Sequence, residues 1–312
     1  MKYLSLPISI FLLLTCCSDD HKKKDSSLDN KYSFSVKSIN IALKPNKNVQ
    51  AQREDELKLG EAISKRIGIP VNISTPSNKS IIEAGLANKT IDIGYVSSTD
   101  AISFADNEVA EILLAGEHES YDPKGKPYKD AHYYSVWLSL KEKPYANISD
   151  LKSKPVAFAS RTSTSGYLIP CWDLIKRNLI SENVSLADFF GEKNIFYGTG
   201  YVSAVEQVLE GKCEAAAVSY YVYEKDKHLT KEQRDKLKII QRQGPVASHT
   251  FCVRNSLPQN DRDVIKNILL EIAKDEPSLS HSLFGGTLVE VDPIAHLNAP
   301  REAMKQVAKL SD

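Results

Sequence analysis

Two well-separated stretches of the chain repeat one design. "GLANKTIDIGYV" (85–96) and "VLEGKCEAAAV" (208–218) each run a leucine-bearing helix end, a short polar stop with lysine, an acidic residue and an apolar strand. A helix that stops and feeds straight into an apolar strand is half of a β-α-β unit, whose strands pair in parallel under covering helices. The flanking sequence supplies the other halves. "FSVKSINIALKP" (34–45) and "VNIST" (71–75) read as strands. Between them "REDELKLGEAISKRIGIP" (53–70) sets Leu57, Leu59, Ile63 and Ile67 at roughly helical spacing, with Gly68 near its end. In the second half "DLKSKPVAFAS" (150–160) leads into a strand, and "SGYLIPCWDLIKRNL" (165–179) and "VSAVEQVLEGKCEAAAVSYY" (202–221) continue helix, helix, stop, strand. No tandem repeat array runs through the chain, so the expectation is two similar α/β lobes.

"HYYSVWLSLKE" (132–142) and "HTFCVRNS" (249–256) sit at the two ends of the second half and read as the crossing strands of a hinge. The tail carries another helix, "QNDRDVIKNILLEIAKD" (259–275), assigned back to the first lobe. Lobe 1 is then 34–134 plus 254–312, and lobe 2 is 135–253. Such a path leaves a cleft suited to closure on a small ligand. The chain of 312 residues is 42% hydrophobic, enough to fill two cores. Its 40 basic and 40 acidic residues cancel, which argues against nucleic acid as a partner.

The N-terminus, "MKYLSLPISIFLLLTCCSDD", has one lysine, an apolar run from Tyr3 to Leu14, and two cysteines. The run is shorter than the ~20 residues of a membrane span and fits a secretory signal. "LTCC" resembles a bacterial lipoprotein box, with Cys17, or else Cys16, as the lipidated residue. Residues 1–17 are read as signal and box, and 18–33 as a charged tether without the apolar content to order itself. The fold is therefore expected outside the cytoplasm, anchored by lipid, with an ordinary cleaved signal and incidental cysteines as the alternative. Cys171, Cys213 and Cys252 match no metal spacing and are read as buried thiols, with one disulfide as the alternative.

The most pointed local signal is "SRTSTSGYLIP" (160–170). Pro170 has no N–H and is tolerated only in the first turn of a helix. A helix starting near 166 puts Ser163, Thr164 and Ser165 at its mouth, where unpartnered amides and the positive dipole end favour an anion. The alternative is a plain serine N-cap.

Here the chain resembles the substrate-binding proteins of phosphate, phosphite and phosphonate ABC transporters. "STSGYLIP" (163–170) is similar to that family's ligand loop. The frame agrees in "IDIGYVSSTDAI" (91–102), "YYSVWLSLKEKPYANISDLKSKPVAFAS" (133–160), "AVEQVLEGKCEAAAVS" (204–219) and "FGGTLVEVDP" (284–293). The resemblance implies an α/β, two-lobed periplasmic-binding-protein fold of type 2, each lobe a mixed sheet flanked by helices, with a two-strand hinge. It implies a monomer without cofactor that binds a small phosphorus oxyanion and delivers it to a permease and its ATPase. Ser163, Thr164 and Ser165 would hold the phosphoryl oxygens, Tyr133 would reach across the cleft, and Tyr95 and Ser97 would face it from the first lobe. Hinge packing for Tyr133 and sheet packing for Tyr95 are the alternatives.

Departures from the family's pattern bear on the ligand. Tyr201 stands where the family has a histidine, and His249 where many relatives have aspartate. Tyr221 stands where aminophosphonate binders carry an acid, and Asn78 where a cleft tyrosine is usual. With those acids gone, a ligand ammonium lacks its partner, unless Glu206 or Glu224 reaches in. The expected ligand is a compact oxyanion or an uncharged-tail phosphonate. A protonated His249 would strengthen its binding as pH falls toward ~6.5.

Other functions have weaker support. There is no G-x-S-x-G nucleophile elbow, the lone "GTG" (198–200) is too little for a dinucleotide, and "GEHES" (116–120) with His132 is read as exposed loop rather than metal ligands. No catalytic or metal residue is assigned. A larger phosphate ester or pyrophosphate as ligand, and a sensor or adhesin lipoprotein without a permease, remain the alternatives.

Overall fold

The structure is a computed structural model that describes residues 32–44, 49–76, 78–225 and 228–310. The signal, lipidation and most of the tether assigned above lie outside the described residues.

The first half runs β1 (Ile39–Ala42), α1 (Val49–Ile67), β2 (Val71–Ser74), α2 (Lys79–Ala87), β3 (Ile93–Val96), α3 (Ser98–Asp106) and β4 (Ala110–Gly116). A hairpin, β5 (His118–Tyr121) and β6 (Pro127–Asp130), leads into β7 (His132–Leu140). Then come β8 (Val156–Phe158), α4 (Ile169–Lys176), α5 (Leu186–Phe190), β9 (Ile195–Tyr197), α6 (Tyr201–Leu209), β10 (Ala215–Ser219), α7 (Tyr221–Glu224), α8 (Lys231–Asp235) and β11 (Leu237–Ala247). The chain ends with β12 (Thr250–Arg254), α9 (Gln259–Asp275), α10 (Pro277–Phe284), β13 (Leu288–Val289) and α11 (Pro293–Val307).

These strands make two mixed sheets. The first has the order β13-β4-β12-β3-β1-β2, with β1 parallel to β2 and β3, and β12 antiparallel to β3 and β4. The second has the order β11-β7-β10-β8-β9, with β10, β8 and β9 parallel and β7 antiparallel to both its neighbours. The β-α-β reading holds in both. Leu59, Ile63 and Ile67 line the buried face of α1, packed with Ile41, Ile93, Phe251 and Ile265. Leu57, counted on that face from spacing, is exposed. Its three buried partners recur every fourth residue, a narrower stripe than the spacing suggested. Each such buried aliphatic side chain contributes roughly 1.5–3 kcal/mol. In the second sheet Val136, Leu138 and Val218 meet Val205 and Val208 of α6, while Trp137 and Phe158 meet Cys171 and Leu174 of α4 on the other face. Cys171, Cys213 and Cys252 are buried free thiols.

Two expectations about the connection between the sheets are corrected. β7 and β12 do not cross; each lies wholly in one sheet. The chain passes between sheets at Ala131 and returns at Ser248 and His249. There the Ser248 N–H and Oγ both donate to the Ala131 carbonyl, at 3.2 and 2.8 Å, tying the two passages together. The tail does not belong to the first lobe alone. α11 places Leu297 in a core of the first sheet and Ala303 in a core of the second, and Arg301 pairs with Asp106 of α3 at 2.6 Å. Spacing along α11 shows an apolar face but not which sheet each end meets.

Candidate functional site

The hydroxyl run sits where β8 hands over to α4, and a proline shapes it. Residues Thr164–Leu168 form one wide turn: Leu168 N–H donates to the Ser163 carbonyl at 3.0 Å, and Ile169 N–H to that of Thr164. The next donor in this series would be residue 170, a proline without N–H. The Ser165 carbonyl it leaves unclaimed accepts from Ser135 Oγ of β7 at 2.6 Å instead. Gln243 Nε2 of β11 in turn donates to Ser135 Oγ at 2.9 Å. The α-helix therefore starts at Ile169, not near 166, with Pro170 in its first turn as required.

Ser163 makes the contact of a serine N-cap. Its Oγ accepts from Gly166 N–H at 3.0 Å, an N-cap contact, while its own proton stays available to an acceptor. Thr164 and Ser165 are buried. Ser165 Oγ is 2.7 Å from the Tyr201 hydroxyl at the start of α6, and the Tyr133 hydroxyl donates to it at 3.4 Å. Thr164 Oγ1 is 3.0 Å from Thr99 Oγ1 of α3, which belongs to the first sheet's layer.

Rings close the rest of the cluster. Tyr221 lies edge-on to Tyr201 at 5.7 Å between centroids and tilted to Tyr133 at 6.5 Å. Burial holds the Tyr133 and Tyr221 hydroxyls well above the usual tyrosine range, so both keep their protons. From the first lobe, Tyr95 packs against His249 at 5.7 Å, and its hydroxyl donates to the Phe284 carbonyl at 3.2 Å. Ser97 caps α3 and donates to Asp100 at 2.6 Å. Asn78 is an exposed cap of α2, its side-chain oxygen accepting from Ile81 N–H at 3.2 Å, and joins none of these contacts.

Two electrostatic expectations change. His249 does not charge near neutral pH. Burial, with Lys44 and His118 adding positive charge nearby, pushes its pKa well below the ordinary histidine value, so it gives no gain in anion affinity as pH falls toward 6.5. His118 in "GEHES" is not an exposed loop residue. It is 5% exposed on β5, whose alternate residues His118 and Ser120 point inward. Its Nδ1 lies 3.0 Å from the Tyr220 hydroxyl and its ring 5.0 Å from Tyr133. Burial, then Lys225 and His132, pull its pKa down to about 4. The two glutamates that could have replaced the lost acids stay away: Glu206 is exposed, and Glu224 pairs with Arg242 and accepts from Ser120 at 2.6 Å. Among the described residues no group of three or more His, Cys, Asp or Glu is placed to hold a metal.

Spacing missed Thr99, Ser135 and His118. Thr99 and Ser135 lie in the quoted runs "YVSSTD" and "YYS", but their partners are 65 and 30 residues away along the chain. His118 carried a readable signal, the period-two alternation of "HESY".

The family described as "ABC transporter, phosphonate, periplasmic substrate-binding protein" matches residues 41–293. A curated relative, the phosphate-import protein PhnD of Mycolicibacterium smegmatis, is 21% identical over 272 residues, covering 85% of this chain and 79% of its own. Among solved structures, PhnD1 from Prochlorococcus marinus in complex with methylphosphonate superposes with a TM-score of 0.69 at 16% identity, over 88% of this chain and 99% of that one. A binding protein component of an ABC phosphonate transporter from Pseudomonas aeruginosa does so at 0.68 and 17%, over 88% and 89%. Those likenesses show the two-lobed α/β fold. The family match spans most of the chain, from β1 to the first residue of α11. This chain belongs to the periplasmic substrate-binding proteins of phosphonate ABC transporters, a class of extracytoplasmic binding proteins rather than of enzymes.

Proposed function

We propose that the chain captures a compact phosphorus oxyanion or an uncharged-tail phosphonate between its two lobes and hands it to an ABC permease driven by its ATPase. The lobes meet at Ala131 and Ser248, and the protein works as a monomer. The observation that carries the ligand class is the run of three hydroxyls, Ser163 to Ser165, at the mouth of the turn, backed by the Tyr133 and Tyr201 hydroxyls on Ser165. A tetrahedral oxyanion accepts from several such donors at once, and each bond to a charged group contributes roughly 1.5–3 kcal/mol. Tyr221 and His249, both neutral, stand where the family resemblance would have acids hold an ammonium. A desolvated ammonium would find only ring faces there, each contact contributing about 0.5–2 kcal/mol. The names of the relatives, one a phosphate importer and one seen with methylphosphonate, agree with this class.

Calorimetry with phosphate, phosphite, methylphosphonate and 2-aminoethylphosphonate tests it on the wild type and on Ser163→Ala and Thr164→Ala. The aminophosphonate is expected to bind weakest, and each variant to lose about tenfold or more in affinity. Tightest binding of the aminophosphonate, or unchanged affinity in both variants, refutes the assignment.

We also propose that the chain is held to the membrane by lipid on Cys17, or on Cys16. The apolar run ending in "LTCC" and the polar tether support this. Metabolic labelling with a fatty-acid analogue should mark the wild type and leave the variant with both cysteines changed to alanine unlabelled. Label retained by that variant would rule the anchor out.

A further inference from the structure

Asp100, Ser97, Thr99 and Thr164 form one chain of polar groups from the first lobe to the second. Ser97 Oγ donates to Asp100 Oδ2 at 2.6 Å. Ser97 Oγ and Thr99 Oγ1 are 3.1 Å apart, and Thr99 Oγ1 and Thr164 Oγ1 are 3.0 Å apart. A hydroxyl has one proton to give and two lone pairs to accept with. Ser97 gives its proton to the carboxylate, so toward Thr99 it can only accept. Thr99 therefore has one proton and two neighbours that can accept it, Ser97, which can only accept, and Thr164, which can accept or donate.

Two arrangements follow. If Thr99 donates to Ser97, the Thr99–Thr164 bond needs the proton of Thr164. Every proton in the chain then points toward Asp100, and Thr164 turns lone pairs toward the seat, where they repel an anion. If Thr99 donates to Thr164, the Thr164 proton is released to the seat, and an anion oxygen can accept it. The second arrangement makes a polarised chain, Thr99 to Thr164 to ligand, in which each bond strengthens the next. An anion binds this arrangement better, so it shifts the population toward it.

We infer that Thr99 is a positioning residue that couples lobe closure to occupancy of the seat by a tetrahedral oxyanion. The inference rests on the reading of Ser163–Ser165 as the phosphoryl seat. Empty, the Thr99–Thr164 bond competes with Thr99–Ser97 for one proton. Occupied, Thr99 commits its proton across the cleft, and the lobes are held together by a bond that the ligand polarises. The hydroxyl chain thus responds to negative charge in the seat, which a neutral ligand of the same size does not supply.

A latch of this kind acts on departure, since it forms only once the ligand is in place. The test uses the full chain with radiolabelled phosphate and methylphosphonate, measuring association and dissociation rates on filters. Thr99→Val is expected to speed dissociation about tenfold while association changes by less than threefold, and Thr99→Ser, which keeps the hydroxyl, should behave as wild type. Adding Thr99→Val to Thr164→Val should cost little beyond Thr164→Val alone, because both break the same chain. Thr99→Ala supplies the same comparison if the valine variant does not fold. Dissociation within twofold of wild type in these hydroxyl-free variants, with affinity still reduced about tenfold or more in Ser163→Ala, overturns the relay and leaves the seat. If neither ligand binds the wild type, the seat falls and the relay with it.

Discussion

Gly166→Ala is expected to weaken binding of methylphosphonate by about 100-fold or more and to lower the melting temperature as well. A Cβ at this position would lie 2.4 Å from Ala159 Cβ, 2.9 Å from Ser163 Oγ and 3.3 Å from the Ala217 carbonyl. Ala159 follows β8, and Ala217 lies in β10 at the centre of the second sheet. The Ala159 Cβ and the Ala217 carbonyl are fixed to the backbone and cannot swing aside, so the turn itself has to move. Overpacking of this kind costs about 1–3 kcal/mol in stability. The larger effect falls on the ligand. Moving the turn displaces Ser163, whose Oγ holds Gly166 N–H, and pulls the Ser165 carbonyl off Ser135. Losing two charge-assisted bonds at roughly 1.5–3 kcal/mol each gives a 100-fold loss or more. Calorimetry and a thermal melt on the same preparation separate the two effects. A variant that binds within threefold of wild type would mean that the turn is not held as rigidly as these contacts imply.

How much of this was readable in the sequence depended on distance along the chain. The helix-stop-strand units were legible because each is local: a buried stripe on a helix, a polar stop and an apolar strand lie within a few turns of one another. The hydroxyl run was legible for the same reason, and Pro170 located the helix start to within a few residues. The sequence could not say that the missing N–H of Pro170 would be replaced by a serine on a different strand. That depends on β7 lying beside β10 in the second sheet, a pairing no local pattern encodes. Thr99 is the same case across two lobes. The charge state of His249 was misjudged because its residue type suggested a group that titrates near neutral pH, whereas burial decided it. The short strand holding His118 looked like loop because four residues of alternation carry little weight beside a charged, glycine-containing neighbourhood.

Asp92→Ala is expected to destabilise the protein by roughly 3–5 kcal/mol, a large share of the 5–15 kcal/mol typical of a folded domain. Asp92 precedes β3, the strand whose other end leads to Tyr95 and Ser97. Its Oδ1 accepts from Arg254 Nε at 2.8 Å, its Oδ2 from Asn40 N–H at 2.7 Å, and its carbonyl from Arg254 N–H at 3.0 Å. One side chain thus joins β1, β3 and β12, three neighbours at the middle of the first sheet. Asp92 is 2% and Arg254 5% exposed, so removing the carboxylate strands a buried guanidinium and an unpartnered amide. The cost comes from what is left behind rather than from the bond itself. For that reason the double variant Asp92→Ala/Arg254→Met should recover a substantial part of the loss, since it no longer buries a lone charge. Neither residue touches the hydroxyl seat, so at a temperature where the variants remain folded their affinity for phosphate should stay within threefold of wild type. Urea unfolding of the wild type, both single variants and the double variant decides the matter. A double variant as unstable as the sum of the two singles would show no coupling between Asp92 and Arg254, and would overturn the reading that the cost comes from the stranded charge.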